Sequence, residues 1–184
     1  MTNTPMSDTP MIERRQLLQR MALLPVGVSL AGLGACGFEL RKPPRFVFES
    51  LFIAGQANAP FGVELQRSLR QVAGLAVITD PRELSAAQLI LDLNVAAREK
   101  VILGRTSTGA IREFQLRYRV LFQVRNQEGF EKISDAEMVQ KRDISFDETA
   151  VLAKETEEEL LYQNMQTDLV YQLIRRLGAI QSVH

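Results

Sequence analysis

The sequence predicts an α+β fold, a two-layer sandwich with helices gathered on one face of a largely antiparallel sheet. Two patterns carry that reading. Phe114, Leu116, Tyr118, Val120, Phe122 and Val124 alternate strictly with Glu113, Gln115, Arg117, Arg119 and Gln123, so one strand face is packed and the other wet. Leu161, Met165, Leu169, Leu173 and Leu177 step by four, which lays an apolar stripe along one long helix. Each surface needs an apolar partner, and the two suit each other.

The elements follow in order. Phe46 to Ile53 is rich in aromatic and β-branched residues and reads as a strand. Gly55 to Ala59 turns the chain, and Pro60 fits the first position of a helix. Phe61, Leu65, Leu69 and Val72 recur at helical steps until Gly74 stops them. Leu75 to Ile78 is a short strand, and Asp80-Pro81 a turn. From Gln88 to Ala96, Leu89, Leu91, Leu93 and Val95 share a face, although Ile90 interrupts the polarity of the other; Val101-Ile102-Leu103 is the candidate continuation. Gly104 to Gly109 is the clearest turn signal.

The alternating strand follows, then a turn at Asn126 to Gly129 and a more polar strand from Phe130 to Arg142. The long helix begins near Thr149, with Asp147 or Thr149 as candidate N-cap and Gly178 as its stop. Val151, Leu160, Val170 and Ile174 flank its stripe. Glu155, Glu157, Glu158 and Glu159 near its start and Arg175 and Arg176 near its end read as a solvated face matched to the helix dipole.

Ahead of these elements, Arg14, Arg15 and Arg20 precede an apolar run, Met21 to Ala35, and then Cys36. A basic segment, a short apolar run and small residues make a bacterial secretory signal. At ~15 residues the run falls short of the ~20 that span a bilayer. Leu33-Gly34-Ala35-Cys36 also resembles a lipobox, where the cysteine sulfur takes a diacylglycerol and cleavage leaves Cys36 as the acylated amino terminus. The alternative is an ordinary signal peptide with a chance or buried cysteine. Cys36 is the single cysteine of 184 residues, so no disulfide competes for it. Gly37 follows where an inner-membrane retention signal would place Asp, which implies the outer membrane, facing the periplasm. Arg14-Arg15 is faintly like a twin-arginine export motif, and Met11 is an alternative start. The chain therefore divides into a signal peptide (1–35), a lipidated tether (36–45) stiffened by Pro43 and Pro44, and one domain (46–184).

Three of the 22 basic residues and two of the 22 acidic ones precede Cys36, leaving 19 against 20. That balance argues against nucleic-acid binding, which needs a strongly basic face. Enzyme chemistries lack their parts. The one histidine is His184, the last residue, so imidazole-based triads and metal sites are missing an essential group. The cysteine is committed to lipid, and no phosphate-cradling or dinucleotide glycine loop is present. Asp143, Asp147 and Glu148 are a possible carboxylate set but sit where caps are common. No cofactor is expected. Arg105 and Arg112 near the turn, and Lys154 at the helix start, are basic groups at element ends, suited to phosphate.

Several stretches resemble LptE, the lipopolysaccharide (LPS)-assembly lipoprotein family. They are Cys36-Gly37-Phe38-Glu39-Leu40-Arg41 after the lipobox, Glu113-Phe114-Gln115-Leu116, Arg142 to Asp147, Val151-Leu152-Ala153-Lys154-Glu155, then Leu160, Met165 and Leu173 to Leu177. The resemblance implies two helices on a mixed, mainly antiparallel sheet of four to five strands. It implies a plug inside the outer-membrane barrel LptD, with no covalent step, that also binds LPS. The family's LPS-contacting lysine lies in a Leu-Ala-Lys stretch, which here is Lys154. Its second contact is an arginine in the loop between the long strands, for which this chain offers Arg105 and Arg112. A barrel lumen is polar, and the wet face with Arg117 and Arg119 suits it. Two alternatives stand beside this: an unrelated lipoprotein adaptor of a periplasmic envelope complex, and a lipid-anchored envelope enzyme.

Overall fold

The computed structural model describes residues 45–147 and 149–183. The signal peptide, Cys36, all but the last residue of the tether, Glu148 and His184 lie outside the described residues. Within them the order is β1 (Ser50–Gly55), α1 (Pro60–Arg70), β2 (Ala76–Ile78), a 3-10 turn (Pro81–Ala86), β3 (Leu89–Arg105), β4 (Ile111–Asn126), β5 (Glu131–Ser145) and α2 (Val151–Gly178). The sheet runs β2-β1-β3-β4-β5. β1 is parallel to β2 and β3, whereas β3, β4 and β5 form an antiparallel meander. The sheet is thus mixed, and α1 supplies the crossover that a parallel β1–β2 pair requires.

The core lies between one face of this sheet and the two helices. Leu116, Val120 and Val124 of β4, and Met165, Leu169, Leu173 and Leu177 of α2, are fully buried, as are Phe61, Leu65 and Leu69 of α1. Each such side chain contributes roughly 1.5–3 kcal/mol, so the two stripes dominate the fold. A polar chain crosses the layers. Tyr118 donates to Gln166 Oε1 (3.0 Å), while Gln166 and Thr167 of α2 donate to the two carboxylate oxygens of Glu64 on α1 (2.6 and 2.7 Å). Glu64 thereby locks the two helices in register.

The element boundaries differ from expectation for local reasons. β1 starts at Ser50 because Phe46 and Phe48 pack ring against ring (centroids 5.0 Å apart) and Glu49 N donates to the Gln88 side chain instead of a strand ladder. α1 ends at Arg70, and Gly74, at φ +83°, sits in the following turn. A turn of 3-10 helix, absent from the sequence reading, follows Asp80, whose carboxylate accepts from Arg82 N at 2.9 Å. Ala87, just beyond it, joins Phe52, Ile78 and Ile90 in a small second apolar cluster. That cluster explains why Ile90 breaks the alternation of its strand: the sheet has apolar cover on both faces there.

β3 runs to Arg105, so Gly104 and Arg105 belong to the strand, and the turn narrows to the residues between Arg105 and Ile111. β5 likewise extends past Arg142 to Ser145. At the start of α2 the N-cap residue is Ala150, without a side-chain cap. Asp147 instead accepts from the Thr149 backbone and hydroxyl (2.9 and 2.7 Å), closing a turn before the helix. Leu160 is 55% exposed and Val151 39%, so they do not flank the core as Val170 and Ile174 do. The first turns of α2 overrun the apolar core and lie over the polar half of β3.

That overhang changes the role of the glutamates. Glu158 bonds Lys100 Nζ at 2.5 Å and Glu159 bonds Arg98 Nη1 at 2.6 Å, both partners on β3. The acidic run is therefore partly an interface with the sheet, not simply a solvated helix face. Tyr162 adds a third tie by donating to the Glu99 carbonyl at 2.7 Å.

Candidate functional site

Beyond the apolar core, the far ends of β3 and β4, the end of β5 with the residue after it, and the start of α2 enclose a pocket of about 70 Å³. Phe114 of β4, Ile144 of β5, Phe146 and Val151 form its apolar walls. Phe114 and Phe146 meet edge to face, with centroids 5.5 Å apart and planes at 85°. Two ammonium groups enter this setting. Lys154 donates to Ser145 Oγ at 3.1 Å and pairs with Glu157 one helical turn on (2.9 Å). Lys100 sits over the Phe114 ring, 4.3 Å from its centroid, and pairs with Glu158.

A second concavity, of about 350 Å³, shares Lys100, Glu155 and Glu158 with the first and continues along β3 to Arg98, Glu159 and Tyr162. The electrostatics follow from these contacts. The hydrogen bond from Arg98, then one from Gln163, hold the Glu159 carboxyl below its ordinary range. The Thr149 hydrogen bonds do the same for Asp147. Burial, reinforced by the nearby Glu158 charge, pushes the Tyr162 hydroxyl up to about 12.

The three predicted basic residues are distributed unequally. Lys154 lies in the pocket wall. Arg112 is exposed on β4, and its carbonyl accepts from Phe146 N at 2.8 Å, which places it at the same end of the sheet. Arg105, also exposed, ends β3 and donates to the Gly109 carbonyl at 3.0 Å, so its guanidinium braces its own hairpin turn. Asp143 and Asp147 form no carboxylate set: the first accepts from Gln115 across the sheet and the second from Thr149. Lys100 was missed by sequence reasoning. Its signal was present: Arg98 and Lys100 form a basic pair two residues apart, complementary to the run Glu157 to Glu159.

Glu155 and Glu158 also line the pocket, and both ammonium groups have carboxylate partners. An anionic group carried on an apolar body therefore fits beside the aromatic and aliphatic walls by displacing Glu157 and Glu158. Among the described residues, no three metal-ligating side chains come together, and no helix is long and apolar enough to cross a membrane.

Comparison with known families places this geometry. The family described as LptE, lipopolysaccharide-assembly, matches residues 48–177, from just before β1 almost to the end of α2. The chain belongs to the LptE family. The match contains the whole pocket and Lys100, Arg105, Arg112 and Lys154. Among solved structures, an uncharacterized lipoprotein B from Nitrosomonas europaea is 33% identical; the match covers 78% of this chain and 91% of that one, with a TM-score of 0.66. A rare lipoprotein B from Shewanella oneidensis (22% identity, 71% and 94% coverage, TM-score 0.57) shares the fold. So does a minor lipoprotein from Acinetobacter baumannii (19% identity, 73% and 94% coverage, TM-score 0.57). No curated protein matches. As an LptE-family member, the chain is an LPS-assembly lipoprotein associated with the outer membrane.

Proposed function

We propose that this LptE-family protein lodges in the LptD barrel as a plug, binds LPS through Lys154 during its insertion into the outer leaflet, and is held to the membrane by acylated Cys36. The role is non-catalytic. The observation that carries the LPS-binding part is the placement of Lys154, at the start of α2 in a pocket with apolar aromatic walls. A phosphorylated, acylated glycolipid offers the complementary chemistry, anion and hydrocarbon side by side. Arg112 and Arg105, at the same end of the sheet, supply further positive charge. Arg117 and Arg119 lie on the sheet face opposite the helices and would meet the polar lumen. Residues 1–35 act as the signal peptide and 36–45 as the tether.

Two experiments test the reading. Affinity purification of the tagged lipoprotein in mild detergent should recover a stoichiometric large outer-membrane barrel that survives high salt. Recovery of soluble periplasmic proteins alone would exclude the plug. Binding of purified LPS should fall about tenfold in Lys154→Glu, a loss of roughly 1.4 kcal/mol. The circular dichroism spectrum should be unchanged and the unfolding temperature lowered by no more than a few degrees, through loss of the Ser145 and Glu157 contacts. Wild-type binding by that variant would remove Lys154 from the site.

A further inference from the structure

The two lysines of the pocket are both occupied by carboxylates of the same helix. Glu157 holds Lys154 and Glu158 holds Lys100, and these are adjacent residues, one reaching along α2 and the other across to β3. Phe114 lies beneath Lys100, so the partly exposed ammonium stands over the apolar wall. We propose that Lys100 is a second anion-binding cation of the Lys154 pocket, and that Glu157 and Glu158 are carboxylate guards displaced when the phosphate of an acylated ligand arrives. The proposal rests on the LPS-binding reading above and concerns how that site is built and gated.

The physical argument turns on charge and screening. Glu157 is 49% exposed and the Lys154 side chain 23%, so the pair is screened by water and readily exchanged for a stronger partner. A phosphate monoester carries about two negative charges and three acceptor oxygens, and meets two ammonium groups where each glutamate meets one. The guards also set selectivity. A monovalent carboxylate on a fatty acid offers no gain over the glutamate already present, whereas a phosphorylated amphiphile does. Its hydrocarbon portion would lie against Phe114, Phe146 and Val151, which line the same pocket.

The test measures binding of purified LPS, and of the same LPS dephosphorylated by alkaline phosphatase, to the full lipoprotein in detergent. Lys100→Gln should weaken binding of the phosphorylated form about fivefold and leave the dephosphorylated form unaffected. Glu158→Gln should tighten the phosphorylated form several-fold. Glu159→Gln is the control: it makes the same change in net charge one residue along, at a carboxylate paired with Arg98 outside the Lys154 pocket, and should leave affinity near wild type. Thermal unfolding of each variant establishes that it is folded. Equal gains from Glu158→Gln and Glu159→Gln would reduce the guard to bulk charge and overturn it. An effect of Lys154→Glu without any effect of Lys100→Gln would overturn the second cation while the LPS-binding reading stands. Wild-type affinity in all four variants would overturn both.

Discussion

At the scale of single residues, side chains and backbone are decided by what lies within a few ångströms. Gly55 ends β1 at φ +70°, a region that L side chains rarely adopt. A Cβ built there would stand 2.4 Å from the carbonyl oxygen of Leu93, which is backbone and cannot swing away. Strain and clash act together, so Gly55→Ala should cost more than ~1 kcal/mol, read as a lowered midpoint in urea with an unchanged slope. Gln56 beside it is equally specific. Its amide accepts from Ala96 N (3.0 Å) and donates to the Asn94 carbonyl (3.3 Å), serving the backbone where the β3–β4 register slips between Leu93 and Val95. A glycine and a glutamine in a turn signal a bend in the sequence, but nothing local says which distant strand they must fit.

At the scale of elements, α2 shows how one helix meets two surfaces. Its C-terminal part buries a leucine stripe on the sheet, and its N-terminal part carries glutamates toward Arg98 and Lys100. Tyr162 marks the boundary, with its ring under the Arg98 guanidinium (5.1 Å) and its hydroxyl on the Glu99 carbonyl. Because its folded-state value is raised to about 12, the neutral hydroxyl is the form the fold favours. The stability it adds is fully present below the ordinary tyrosine value near 10 and drains away as pH rises from there to about 12. Tyr162→Phe should lower the unfolding temperature at neutral pH and make it less sensitive to pH between about 10 and 12. A variant whose alkaline profile matches wild type would show that burial beside Glu158 does not raise the hydroxyl in the folded protein.

At the scale of the whole molecule, the described residues form a sandwich with one sheet face covered by the two helices and, along β3–β5, a second face that no described helix covers. Arg119 lies at its centre, paired with Glu99 on one neighbouring strand (3.2 Å) and Glu137 on the other (3.6 Å). Such half-exposed pairs hold the fold by no more than ~1 kcal/mol. Arg119→Glu should therefore leave the unfolding temperature within a few degrees of wild type and LPS binding intact, while reducing recovery of the barrel in affinity purification. Undiminished recovery would place the barrel contact on another surface.

Much of this was legible from residues alone, because hydrophobic periodicity is a local record of burial. The alternation from Phe114 to Val124 and the four-step stripe from Leu161 to Leu177 each specify an element and its buried face, and the structure joins them. The order of strand, helix, strands and helix followed from such periods along the whole domain, and the family from its own motifs, among them Cys36 to Arg41, Arg142 to Asp147 and Val151 to Glu155. Tertiary structure alone decided where elements end and which charges meet. Gly104 reads as a turn but is held in β3 by pairing with Glu113 of β4. Glu158 reads as a helix-dipole charge but pairs with Lys100, 58 residues earlier in the chain. Ion pairs and register depend on which distant segments the core brings together, and a sequence period carries no term for that distance.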